Sequence, residues 1–292
     1  MNAQTKMAIV AIVVVIPLTS VVVYGTNTNQ EFTSNDNSKL QAISSFNPLH
    51  EFSQIVGGEK IDVTLLVPVG VEPHDWEPTI KDVQQMHKSD FIIINGIGFE
   101  NWVDNLIENN YQGTIVDTSK QIPIKETDPH IWLNPVFAIN QVGNIALAFS
   151  NSDPENEEYY MTNAAKYSEK LHSLDSKIRT DLTDCKRDFI AFHDAFSYFA
   201  DEYDLNQHTI VTTTNSHGEV TAKTLENVIS TARELNIKVI FSEETVNAKT
   251  SQIIANEIGG KVLVLSPLEI VSEDNYISKM TQNLENLKEA LC

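Results

Sequence analysis

The sequence predicts an α/β protein built as two lobes joined by one long helix. Three observations carry this reading. Short apolar runs alternate with helical periodicity from about residue 40 to residue 150, the pattern of a parallel sheet flanked by helices. From Pro154 to Cys185 the texture changes to uninterrupted three- and four-residue steps: Tyr159, Tyr160, Ala164, Tyr167, Leu171, Leu174, Ile178. The first rhythm then resumes from Asp188 to the end of the chain. A helix of some thirty residues would be about 45 Å long, which suits a spine between two bodies better than one element of a single sheet.

The elements follow in order. Met7 to Gly25 is apolar apart from Thr19, Ser20 and Tyr24, and Lys6 precedes it. It reads as a secretory signal or an uncleaved membrane anchor, with the anchor favoured because the small-residue cleavage pattern is poor. No cysteine follows it, so a lipoprotein cleavage site is absent. Residues 1–25 are assigned to this segment and 26–39, rich in Thr, Asn and Ser, to a flexible tether. The rest of the protein is then expected outside the cytoplasm, tethered to the membrane or secreted.

Leu40 to Val56 reads as an amphipathic helix interrupted at Asn47-Pro48 and broken by Gly57-Gly58. Ile61–Val67 is a strand, and Thr79 is a good N-cap for a helix from Ile80 to Lys88. Strands follow at Phe91–Ile94 and Thr114–Val116, with a helix from Phe99 to Glu108 between them. Pro135 suits the first turn of a helix reaching about Phe149. Residues 40–153 form the first lobe and 154–186 the linking helix. The second lobe, 187–292, has strands at Asp188–Phe192, Thr209–Thr213, Val239–Ser242 and Val262–Leu265. Its helices fall at Ala195–Tyr203, Leu225–Asn236, Ser251–Ile258 and Ile277–Leu291.

The formal net charge of −20 argues against nucleic acid or an anionic lipid surface as a partner. There are two cysteines, Cys185 and Cys292, and no CxxC, which excludes zinc-finger and thioredoxin-like motifs. Spacing alone leaves open whether the two pair.

Of eight histidines, His50, His87, His172, His208 and His217 read as ordinary loop, helix or strand-start residues. His74, His130 and His193 share a different position: each follows a strand at the edge where an α/β sheet binds ligands. His74 stands in a turn stiffened by Pro73 and Pro78, with Trp76 expected to pack beneath it. Glu72 and Asp75 read as turn and cap residues. The separations of 56 and 63 residues fit no local metal motif, so the three imidazoles can meet only across a cleft between the lobes. Three neutral imidazoles suit zinc and other first-row metals.

The same stretches carry a resemblance. GVEPHDWEPTIKDVQQMHKSDFIIINGIGFENWVDNL, DPHIWLNP, FIAFHDAFSYFADEYDL and FSEETVNAKTSQIIANEIGGKVLVLSPLE resemble, in order, four signatures of the zinc/manganese substrate-binding proteins of ABC importers. The matches run from about Ile61 to Leu268. The resemblance implies two α/β lobes joined by a rigid helix, with a divalent cation bound between them by His74, His130 and His193. It implies a monomer that delivers Zn²⁺ to a membrane permease driven by a cytoplasmic ATPase. Histidine rather than glutamate at position 193 favours Zn²⁺ over Mn²⁺ or Fe²⁺. Some members of the family carry an adhesin label.

Two departures stand out. The His- and acid-rich loop of many zinc receptors is absent from the short interval Lys120–Asp128. Ser266 stands where the family usually has an aspartate that ligates the metal in some members. The fourth position then falls to water first and to Glu243 second, with Glu269 also possible. Glu243 matches a family glutamate that can instead orient a histidine. A zinc hydrolase is the rival from another class, because three histidines and a water also make catalytic zinc. It would need a general base beside the water, and HExxH is absent.

Overall fold

The computed structural model describes residues 39–125, 128–211, 220–244 and 248–292. The expected N-terminal segment and nearly all of the tether lie outside them, as does His217. Among the described residues no helix is long and apolar enough to cross a membrane.

Two parallel four-stranded sheets organise the chain. In the first the order is β2-β1-β3-β4, from β1 (Leu40–Ser44), β2 (Ile61–Leu65), β3 (Phe91–Ile94) and β4 (Thr114–Asp117). The second runs β6-β5-β7-β8, from β5 (Asp188–Ala191), β6 (Asn206–Thr209), β7 (Val239–Ser242) and β8 (Lys261–Val264). The two sheets thus repeat one winding. Each reverses direction beside its first strand, and in parallel sheets the crevice at that reversal is where ligands bind.

Here β1 corrects the sequence reading, which placed a helix over Leu40–Val56. Leu40, Ile43, Phe46, Leu49 and Phe52 recur every third residue and mimic a helical face. In the fold Ala42, Ile43 and Ser44 are buried between neighbours on both sides, so the alternation that marks a half-exposed strand is missing. The helix α1 (Asn47–Gly57) starts only at Asn47, with Pro48 in its first turn, a residue tolerated there because it has no N–H to leave unpaired. Of the strand expected at Thr209–Thr213, residues 212 and 213 lie outside the described residues, and the strand present here is Asn206–Thr209.

Helices α2 (Ile80–Met86) and α3 (Val103–Glu108) cover the outer face of the first sheet around Ile92, Met86 and Trp102. Thr79 caps α2 as expected, in a reciprocal pair with Asp82. Helices α7 (Ala222–Glu234) and α8 (Lys249–Ile258) do the same for the second sheet around Ile190 and Ile240. The inner faces pack against α1, α4 (Pro135–Ser152), α5 (Glu157–Leu182) and α9 (Tyr276–Leu291), giving one apolar core that runs through both halves. The 26 residues of α5 span about 39 Å and bury Tyr160, Ala164, Tyr167, Leu171, Leu174 and Ile178 along one stripe. Cys185 and Cys292 form a disulfide, tying the segment after α5 to the last residue of the chain.

Candidate metal centre

The expected histidines meet. His74 sits in a single 3₁₀ turn, Pro73–Asp75, beyond β2, and Glu72 accepts its backbone N–H at 3.4 Å. Phe99, not Trp76, packs against its ring, edge-on with centroids 4.8 Å apart. Trp76 instead faces Trp102 on the outer side of the sheet. The sequence placed Trp76 beneath His74 because it is two residues away; the turn carries it to the opposite side.

His130 is fully buried at the start of a 3₁₀ turn, Ile131–Leu133, that leads into α4. Its Nδ1 lies 2.6 Å from Asp128 Oδ1, and that same oxygen accepts its backbone N–H at 3.0 Å. The other Asp128 oxygen accepts the hydroxyl of Ser197, the first residue of α6 (Ser197–Glu202), which follows the second sheet's leading strand. His193 lies just beyond β5, with Nδ1 2.5 Å from Glu243 Oε1. Glu243 follows β7 and also accepts the His193 backbone N–H at 3.2 Å.

A carboxylate on Nδ1 leaves Nε2 of each ring as its free donor atom. These atoms converge. His130 Nε2 is 3.2 Å from His74 Nε2 and 3.2 Å from His193 Nε2. Glu269 Oε1 lies 3.2 Å from His74 Nε2 and 3.5 Å from His130 Nε2. The four atoms lie within 4.8 Å of one another. Zinc held at about 2.0–2.1 Å by four tetrahedral donors places those donors about 3.3 Å apart. A single proton on His130 Nε2 could satisfy one of the three facing acceptors; a metal ion satisfies all of them.

Of the carboxylates the sequence offered for the fourth position, Glu269 is the one that joins the three histidines in this cluster. Glu243 orients His193 instead. The delivery of Glu269 explains Ser266. Leu268 takes a left-handed conformation (φ 62°), and the Ser266 hydroxyl accepts its N–H at 3.2 Å. Pro267 and Leu268 offer their carbonyls to the Trp132 indole at 2.8 Å and the Asn47 amide at 3.3 Å, both from the first half of the chain. The turn thus aims the carboxylate three residues after the serine at the histidines. Asp128 and Ser197 escaped the sequence reading altogether. The Asp-Pro-His order of residues 128–130 was a signal for the first; nothing local pointed to the second.

The electrostatics fit a site built for a cation. Burial opposes a charge on His130, but Asp128 and Glu269 outweigh it and raise the imidazole to about 9. Burial likewise opposes charge on Glu269, and hydrogen bonds from His130 and His74 hold it well below the usual carboxylate range. Glu72 is driven the other way, to about 8, by burial and then by the Glu269 charge. Deeper in the first half, burial lifts Glu100 to about 7 against the pull of Ser45 and the backbone N–H groups of Asn95, Gly96 and Glu100 itself.

Residues 43–290 match the family described as zinc-uptake complex component A, periplasmic. The chain is 36% identical to the high-affinity zinc uptake system protein ZnuA of Bacillus subtilis, over 91% of this chain and 92% of that one. Among solved structures it resembles the metal-dependent lipoprotein YcdH of Bacillus subtilis, at 38% identity and TM-score 0.79, covering 87% of this chain and 99% of that one. It also resembles the Zn(II)-bound ZnuA-like domain of Streptococcus pneumoniae AdcA, at 32% identity and TM-score 0.78, covering 87% and 99%. It spans only 56% of the longer zinc-binding protein AdcA of Streptococcus pyogenes.

Proposed function

The chain belongs to the zinc-uptake complex component A family, and from that premise we propose that it captures one zinc ion between its lobes and hands it to a membrane permease for import. The observation that carries the reading is the convergence of four Lewis-basic atoms, with four of their six separations at 3.2–3.5 Å and all within 4.8 Å. The proposed ligands are His74, His130 and His193 through Nε2 and Glu269 through one carboxylate oxygen. Asp128 and Glu243 are proposed to hold two of the imidazoles in the required tautomer and orientation.

Four protein donors close a tetrahedron and leave no position for the water that a zinc hydrolase needs. This supports a receptor, whose chemistry is binding and release alone. The balance of three imidazoles and one carboxylate supports zinc over manganese, which favours oxygen donors. We read residues 40–153 and 187–292 as the two lobes and 154–186 as the link. A position outside the cytoplasm is supported by the family's periplasmic description and by the Cys185–Cys292 disulfide.

Calorimetric titration of the purified, metal-stripped chain tests the reading. Tight zinc binding at one ion per chain, with manganese much weaker, is the expected result. Preferred manganese, or no tight binding of either ion, would overturn it.

A further inference from the structure

We propose that Glu100 is a positioning residue for the metal site, an internal carboxyl group that fills the crevice between β1 and β3 and sets His74 and His130 together. The inference rests on the zinc-binding reading above.

The first sheet reverses its winding at that crevice, so this is where an open parallel sheet would take an anionic ligand. Here the chain supplies its own. Glu100 is buried, at 7% exposure, and one oxygen accepts the Ser45 hydroxyl at 2.7 Å and the Asn95 N–H at 2.8 Å. Its other oxygen accepts the Gly96 N–H at 3.0 Å. Ser45 directly follows β1, and Asn95 and Gly96 directly follow β3. Two successive backbone N–H groups with a hydroxyl form a small anion cradle.

The turn so held is one the chain would not adopt unaided. Gly96, Ile97 and Gly98 all have positive φ, at 84°, 57° and 73°. Glycine tolerates this, but a β-branched isoleucine there needs an external constraint. The Glu100 carboxylate, bonded to the residues that open the turn, is that constraint.

Two outputs leave the turn and reach different ligands. Phe99, next to Glu100, packs on the His74 ring. Asn95 donates its side-chain amide to the Pro129 carbonyl at 2.8 Å, one residue before His130, and Gln141 fixes that amide by donating to its oxygen at 3.2 Å. His193 comes from the other sheet and takes its orientation from Glu243. A purely structural acid would influence all ligands alike through stability. This one is wired to two of the three histidines.

The test compares wild type with Glu100→Gln and Ser45→Ala in the full chain, by zinc competition against a chromophoric chelator and by ¹⁵N NMR of the zinc-loaded imidazoles. Glutamine keeps the shape but turns an NH₂ toward backbone donors, so zinc affinity should fall by ~10–100-fold, the range for residues that orient ligands. Ser45→Ala removes one donor and should weaken binding less. The ring signals of His74 and His130 should move while those of His193 stay. Unchanged affinity, or equal displacement of all three rings, in either folded variant would overturn the proposal. Should Glu100→Gln fail to fold, Ser45→Ala decides alone. A wild-type chain that does not bind zinc would instead overturn the premise.

Discussion

At the residue scale, protons and zinc compete for one atom. His130 keeps a proton up to about pH 9 in the metal-free fold, whereas an unfolded histidine loses it near 6.5. Its raised value stabilises the metal-free fold fully below pH 6.5, and that contribution is lost as pH rises through 9. Zinc needs the same Nε2 bare. Loading at pH 7.5 should therefore release about one proton from His130, measurable by calorimetry in two buffers of different ionisation enthalpy. Zinc affinity should weaken as pH falls below about 9, since the proton that zinc must displace then occupies a growing fraction of the sites. A heat of binding independent of buffer would contradict this assignment. Among substitutions, His193→Ala and Glu269→Gln should each weaken zinc by ~100-fold or more, whereas Glu243→Gln, which keeps all four donors, should cost ~10–100-fold. Chelator competition ranks them. An effect of Glu243→Gln larger than that of Glu269→Gln would restore Glu243 to the coordination sphere and remove Glu269 from it.

The sequence made the three histidines legible because each lies on the chain leaving a strand, His193 directly after β5 and His74 and His130 on the longer loops after β2 and β4, and strand ends in a parallel sheet share one edge. It did not rank the carboxylates, because distance along the chain says nothing about a turn such as Ser266–Glu269. That turn depends on Leu268 adopting positive φ, a conformation that leucine's own preferences argue against. The serine that looked like a lost ligand is part of the turn that presents Glu269 to the histidines.

At the scale of elements, β1 was the miss with most consequence. Its three-residue apolar rhythm continues without a break into α1, and only a strand on either side tells the two apart. The long helix was legible because solvent faces most of it and leaves a clean buried stripe. Contacts between halves could not be read at all. The N-terminus of α6 clasps the loop before His130: Ser197 reaches Asp128, and the Tyr198 hydroxyl accepts the Lys125 N–H at 2.7 Å. Glu51 of α1 accepts the Tyr167 hydroxyl of α5 at 3.0 Å and the Tyr276 N–H of α9 at 2.7 Å. The disulfide ties the end of α5 to the second half alone, away from the histidine cluster. Replacing Cys185 and Cys292 by serine should lower the thermal midpoint, with a loss of ~2–4 kcal/mol, while zinc affinity stays within about twofold. Calorimetric melting and chelator competition on the same sample check both halves of that expectation.

At the scale of the whole molecule, one core passes through both sheets and the helix between them. Such packing resists a wide hinge, because opening would expose apolar surface on α1, α4, α5 and α9 together. Capture and release should then proceed by small movements of the turns that carry the ligands. Small-angle scattering should show nearly equal radii of gyration with and without zinc; a clear compaction on loading would point to a hinge.

X-ray absorption at the zinc edge of the loaded chain tests most directly whether His74, His130, His193 and Glu269 form one four-coordinate zinc site. Three imidazole nitrogens and one carboxylate oxygen are expected at about 2.0–2.1 Å, with one imidazole lost in His193→Ala. A five- or six-coordinate shell dominated by oxygen, or a spectrum that His193→Ala leaves unchanged, would contradict it.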